Sequence, residues 1–107
     1  DIPSIKNSIA NIFLTSPGQK ILNPTFGIDL RRYLFDSVSE FTAFQIKTDI
    51  TNNLTDQEPR IQLERTTVIP DRENQEYYIT LQINVPALNA YGLSLQSLLN
   101  SNGYYVI

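Results

Sequence analysis

The sequence predicts an α+β domain in which helices pack on a small antiparallel sheet, and three observations carry that reading. Apolar residues recur at helical spacing over residues 5–13 and again over 41–54. A strict alternation with a period of two runs over residues 76–85. The two periods occupy separate parts of the chain, helices first, which is the pattern of segregated layers and not of alternating βαβ units. With 107 residues and 41% hydrophobic content, one modest core is expected, forming a single domain over residues 1–107 without help from disulfides.

The first element rests on Ile5, Ile9, Ile12 and Phe13, which fall at i, i+4, i+7 and i+8. Ser4 is placed to cap this helix, which should end near Thr15. Ser16-Pro17-Gly18 then breaks it, and Asn23-Pro24 with Gly27 makes residues 16–28 a loop. Its apolar residues Ile21, Leu22, Phe26 and Ile28 predict a loop pinned onto the core, wrapping the domain. Asp29 is placed to cap a short helix from Leu30 to Phe35, with Leu30, Leu34 and either Phe35 or Tyr33 inward and Arg31 and Arg32 outward.

Ser37 and Glu40 read as a capping box for a second helix over about residues 38–54. Phe41, Phe44, Ile46 or Lys47, Ile50 and Leu54 form its expected inner stripe. Asn52, Asn53 and Thr55-Asp56 supply the stop, and Glu58-Pro59-Arg60 separates the helix from the next element. From Ile61 the period changes to two, with Ile61, Leu63, Arg65, Thr67 and Ile69 on one side of a strand, then a polar turn from Pro70 to Gln75. Tyr77, Ile79, Leu81, Ile83 and Val85 alternate with polar partners in the next strand, so one face is buried and the two strands form a hairpin. Such a pair is marginal alone and must pack on the helices or pair again. Beyond Pro86 the pattern leaves two options: Leu93, Leu95, Leu98 and Leu99 fit a short helix, while Tyr104 to Ile107 is β-prone.

Composition excludes much chemistry. The chain has no histidine, cysteine, methionine or tryptophan. That removes Ser/His/Asp and Cys/His nucleophiles, thiol redox chemistry and the usual zinc, copper and haem ligand sets. Eight basic against eleven acidic residues give a net charge of −3, and only Arg31 and Arg32 are adjacent, so no nucleic-acid partner is expected. No apolar run reaches the roughly 20 residues of a membrane span, and no leader precedes Ile5, so a soluble chain is expected. The sequence starts at Asp1, and residues before it are expected to be missing. The four glycines make no phosphate-cradling loop, and the acids lack the spacing of a calcium loop. No cofactor, metal or catalytic residue is predicted.

Among the acids, Asp56, Glu58, Glu64 and Glu76 are the nearest candidates for a glycosidase pair, yet nothing in their context would raise an acid's pKa. Glu58-Pro59-Arg60 is more informative, because proline fixes the backbone between an acid and a base at a helix-to-strand junction. A solvated junction with screened charges is the plain alternative.

Three separated motifs in order, Ser4-Ile5-Lys6-Asn7-Ser8-Ile9, then Asn23-Pro24-Thr25-Phe26-Gly27-Ile28-Asp29-Leu30 leading to Leu34-Phe35, then Glu58-Pro59-Arg60-Ile61, resemble the baseplate wedge family of contractile phage tails. That family is also called lysozyme-like and is related to the small baseplate subunit of type VI secretion systems. The resemblance covers about residues 4–85. It implies an α+β virion protein, present in several copies around the tail tube and assembled in the host cytoplasm, whose partners are other wedge proteins and the tail sheath. It implies that Glu58, Pro59 and Arg60 dock on the helical core of the wedge, and that Asn23, Pro24, Phe26, Gly27 and Asp29 form a structural motif. It also implies sheath initiation by strand exchange, for which Tyr104, Tyr105, Val106 and Ile107 are the candidate strand. A peptidoglycan-cleaving glycosidase is the competing reading, and a free-standing binding module a third.

Overall fold

The computed structural model describes residues 1–19 and 26–107. The motif residues Asn23 and Pro24, and the expected packing of Ile21 and Leu22, lie outside the described residues. Helix α1 spans Ile2–Leu14 and buries Ile5, Ile9, Ile12 and Phe13, the stripe that its periodicity predicts. Its cap is Asp1, whose carboxylate accepts from the Ser4 backbone N–H at 2.8 Å. The expected Ser4 cap is therefore corrected: Pro3 sits in the first turn, where its missing N–H is no loss, and Ser4 is already helical.

A 3-10 helix over Leu30–Phe35 comes next, with Leu30 buried and Tyr33 and Leu34 partly so. Phe35 points outward and is 92% exposed. Asp29 precedes this turn in a left-handed conformation and makes no cap bond; its carboxylate bonds elsewhere. Helix α2 spans Glu40–Gln57 and is capped by Ser39, whose hydroxyl accepts from the Thr42 N–H at 3.1 Å. The Ser37 capping box is thus replaced by a cap two residues later. Its buried face is Thr42, Ala43, Ile46, Ile50 and Leu54, while Phe41 and Phe44 face out. Ile46, Ile50 and Leu54 of the expected stripe are buried, whereas Phe41 and Phe44 are corrected: Thr42 and Ala43 complete the inner face, on the opposite side of the helix from the two phenylalanines. The helix also runs through Asn52 and Asn53 without stopping. Replacing Ser39 by alanine is expected to cost about 1 kcal/mol in urea unfolding, the usual worth of an N-cap.

The sheet is a four-stranded antiparallel meander in the order β1-β2-β3-β4, with β1 Gln62–Asp71, β2 Glu76–Val85, β3 Ala90–Asn100 and β4 Gly103–Val106. Tyr77, Ile79, Leu81, Ile83 and Val85 of β2 are all buried as the alternation predicts. Along β1 the predicted alternation holds for Ile61 and Leu63 and then inverts. A bulge at Glu64 inserts one residue between the Leu63–Ile83 and Arg65–Gln82 pairs, so Thr66 and Val68 turn inward and Ile69 turns out. The helix considered for Leu93–Leu99 is instead strand β3, where Leu93, Leu95, Ser97 and Leu99 face the helices. The open edge of β2 supplies pairing along Tyr77–Ile83 that an isolated stretch of leucines does not reveal. β4 completes the sheet, and Tyr104 meets Phe13 of α1 edge to face at 5.0 Å.

Candidate docking site

Glu58 ends α2, its backbone N–H closing on the Leu54 carbonyl at 2.9 Å. The turn that Pro59 forces then brings Arg60 back onto the Glu58 side chain. Arg60 Nε donates to Glu58 Oε1 at 2.7 Å and Nη2 donates to Oε2 at 2.9 Å, a bidentate fork reinforced by the Arg60 backbone N–H at 3.2 Å. Ser8 of α1 donates its hydroxyl to Oε2 at 2.6 Å, and Arg60 Nη1 reaches Ser4 Oγ at 3.3 Å. The junction thus ties the end of α2 to one face of α1.

Burial is unequal across the pair: Glu58 is 4% exposed, whereas the Arg60 side chain remains 44% exposed. The hydrogen bonds from Arg60 hold the Glu58 carboxyl at about 2, well below its ordinary value, against the opposing effect of burial and with help from Ser8. Such a carboxylate is ionised at every physiological pH and both of its oxygens are engaged. It is unsuited to donating a proton, and the surface of the turn presents a positively charged edge. Among the described residues no cluster of acids is arranged to hold a metal ion.

The second predicted motif folds against the C-terminal end of α1. Gly27 adopts φ +103° and its backbone is clamped by Gln57, which accepts from its N–H at 2.6 Å and donates to its carbonyl at 3.4 Å. Ile28 N–H donates to the Ile12 carbonyl at 2.9 Å, and Arg31 donates to the Leu14 carbonyl at 2.6 Å, so exposed carbonyls at the helix end gain partners and a cation. Asp29 accepts from Ser16 Oγ at 2.6 Å and from Arg31 Nε at 3.2 Å. Burial alone would raise its pKa, but these two bonds together bring it below the ordinary value. Phe26 packs partly buried against the core. Next to this segment, Tyr33 donates to Asp49 at 2.6 Å and Arg32 pairs with the same carboxylate, fastening the 3-10 helix to α2. Burial, followed by the hydrogen bond to Asp49 and then its charge, pushes the Tyr33 hydroxyl up to about 12.

The third predicted group, Tyr104 to Ile107, forms the edge of the sheet. Ile107 N–H donates to the Gln96 carbonyl at 2.8 Å, which makes that pair and the Leu98–Tyr105 pair the hydrogen-bonded ones. The backbone groups of Tyr104 and Val106 therefore point away from β3, and residues 104–106 also line a groove of about 510 Å³ together with Lys6, Asn7 and Ala10 of α1. Tyr104 has its ring in the core, whereas Tyr105 and Ile107 are exposed. The Glu58-Pro59-Arg60 turn and this groove lie at α1 but on different residues of it: Ser4 and Ser8 serve the turn, and Lys6, Asn7 and Ala10 serve the groove.

Sequence reasoning placed Ser8 in the first motif without its role as a partner of Glu58, and missed Gln57 and Asp49. Ser4 and Ser8 share a helix face at i, i+4 and were a usable signal, but Gln57 and Asp49 carry none that distinguishes them from other polar residues on α2.

The family described as baseplate wedge protein gp25 matches residues 2–90 of this chain. Baseplate wedge protein gp25 of Enterobacteria phage T4 is 32% identical over 82 residues, which is 77% of this chain and 62% of that protein, under two thirds of its length. A crystal structure described as a putative tail lysozyme from Geobacter sulfurreducens superposes with a TM-score of 0.71, covering 99% of this chain and 88% of that one at 22% identity. At that identity the likeness is one of fold.

Proposed function

The chain belongs to the baseplate wedge protein family, and from that membership we propose that it is a structural component of a contractile tail baseplate, docking on other wedge proteins and starting the sheath. The observation that carries the docking part is the Glu58-Pro59-Arg60 turn. Its acid is buried and neutralised internally, so the group left for a partner is the outer edge of a guanidinium whose position is fixed by two hydrogen bonds. A preorganised cation of this kind costs little side-chain entropy on binding and suits acceptors such as helix C-terminal carbonyls or carboxylates.

The open edge of β4 supports the sheath part. The backbone groups of Tyr104 and Val106, which have no partner among the described residues, can take an added strand from a sheath subunit. In this role Tyr104 anchors the edge through Phe13, and Tyr105, Val106 and Ile107 present it. The residues Gly27 and Asp29 serve by holding α1 and α2 in one frame. The protein would act in the tail of the virion with several copies around the tube.

A glycosidase reading draws on the lysozyme-like label of the resembled family and on the fold neighbour's description. The Glu58 carboxylate, held near 2, is a poor general acid, which supports a non-enzymatic role. Replacing Arg60 by alanine is expected to leave the circular dichroism spectrum unchanged and to weaken capture of co-expressed wedge partners by at least about tenfold. Undiminished capture would refute the docking role, and peptidoglycan clearing by purified protein that Glu58→Gln abolishes would refute the non-enzymatic one.

A further inference from the structure

Helix α2 carries a feature that neither the turn nor the sheet edge uses. Its outward residues Phe41, Phe44, Thr48, Thr51 and Thr55 fall at successive steps of three and four, the a/d spacing of a helix–helix seam, over a length of about 21 Å. Phe41 and Phe44 are 72% and 65% exposed. Thr48 and Thr51 donate their hydroxyls to the carbonyls of Phe44 and Lys47, at 2.9 and 2.7 Å, so their polar atoms are satisfied within the helix. What the stripe offers is therefore two rings followed by threonine methyl groups. Phe44 stands between two hollows of about 340 and 360 Å³, one against Tyr33 and Gln45, the other against Val68 and Ile69 of β1. Holes on both sides of a knob are what an interlocking helix requires.

We propose that this stripe seats an amphipathic α-helix of another protein, with small residues opposite Phe41 and Phe44 and large apolar residues opposite the threonines. The charges select the occupant further. Glu40 and Lys47 flank the stripe on one side, one heptad apart, so the partner helix carries a basic and an acidic residue at the same separation. A second copy of this chain fits less well. Aligned in parallel, two α2 helices would set phenylalanine on phenylalanine and oppose Glu40 and Lys47 with Gln45 and Asn52. Antiparallel copies that interlock Phe41 and Phe44 with Thr51 and Thr48 would oppose Lys47 to its own counterpart, and the shifted register that pairs Glu40 with Lys47 sets phenylalanine on phenylalanine and overlaps the two helices over residues 40–45 only. The proposal stands on the outer face of α2 and the hollows beside it and does not depend on how Arg60 is used.

The test uses the full chain and a stapled helical peptide of about three heptads. In the matched peptide alanine faces the two phenylalanines, leucine faces the threonines, and lysine and glutamate face Glu40 and Lys47. A swapped peptide of identical composition exchanges the alanines and leucines. Fluorescence anisotropy is expected to show saturable binding of the matched peptide, at least about tenfold tighter than the swapped one. A Phe41→Ser, Phe44→Ser double variant, folded by circular dichroism, should lose at least about tenfold, while Leu88→Ser, at an exposed apolar residue in the turn after β2, should bind as wild type does. Absence of binding, equal binding of the two peptides, or indifference to the double substitution overturns the proposal. So does sedimentation velocity showing self-association of the wild-type chain that Phe44→Ser removes, since a second copy would then be the occupant.

Discussion

Gly27→Ala is expected to lower stability by more than about 3 kcal/mol, a drop in melting temperature of roughly 15 °C for a domain of this size. The reason is geometric. A Cβ built on Gly27 would lie 2.2 Å from the Thr15 carbonyl oxygen and 2.8 Å from its carbon. Both are backbone atoms, so no side chain can swing aside; the end of α1 or the whole 26–29 segment must move. Moving that segment breaks the Gln57 clamp on Gly27 and the Ile28 bond to Ile12, which couple α1 to the end of α2. The φ of +103° adds backbone strain of about 1 kcal/mol or more for any side chain. Gly18 separates the two causes. It has φ +93° and open space around the Cβ position, so Gly18→Ala should show the backbone cost alone. Urea unfolding of both variants decides the matter: equal losses would mean that the close approach to Thr15 contributes nothing.

What could be read from sequence divides along the range of the forces involved. The α1 stripe and the β2 alternation were legible because each is a local period with a single interpretation. The caps were not, because Asp1, Ser4, Ser37 and Ser39 all have capping side chains and the choice among them depends on where packing starts the helix. On β1 the pattern up to Leu63 was right and the pattern after it was inverted, because a bulge is set by the partner strand and leaves no mark at Glu64 itself. β3 was ambiguous for a similar reason, since adjacent Leu98 and Leu99 satisfy a helix stripe as well as the two faces of a strand. At the candidate site the proline between Glu58 and Arg60 announced a fixed turn. It did not announce that the two charges close on each other, or that Ser8, fifty positions earlier, supplies the remaining bond. The alternative of a solvated junction with screened charges therefore holds in part for Arg60 and fails for Glu58.

Glu58→Ala is accordingly expected to cost about 2 to 3 kcal/mol, several times the cost of losing an exposed charge. It removes an acceptor of four hydrogen bonds, leaves the Ser8 hydroxyl facing a cavity, and frees Arg60 from α1. The same pair makes a specific pH signature. In the unfolded chain Glu58 titrates at its ordinary value of 4.5, and in the folded state near 2. The folded state therefore holds the proton more weakly, and the stabilisation is fully present above about pH 5 and drains away as pH falls from about 4.5 towards 2. The full shift would correspond to about 3 kcal/mol, and solvent screening at the half-exposed Arg60 reduces this to about 2. Glu58→Gln preserves the shape but cannot titrate, so between pH 5 and pH 2.5 it should lose about 2 kcal/mol less than wild type does in urea titrations. Parallel pH profiles for the two proteins would mean that the Glu58–Arg60 fork does not hold in solution. Because the fork also aims Arg60, the Gln variant has a second consequence: a neutral amide keeps the Ser8 contact while loosening the guanidinium, so partner capture should fall at neutral pH while the chain, about 2 kcal/mol less stable than wild type, remains folded.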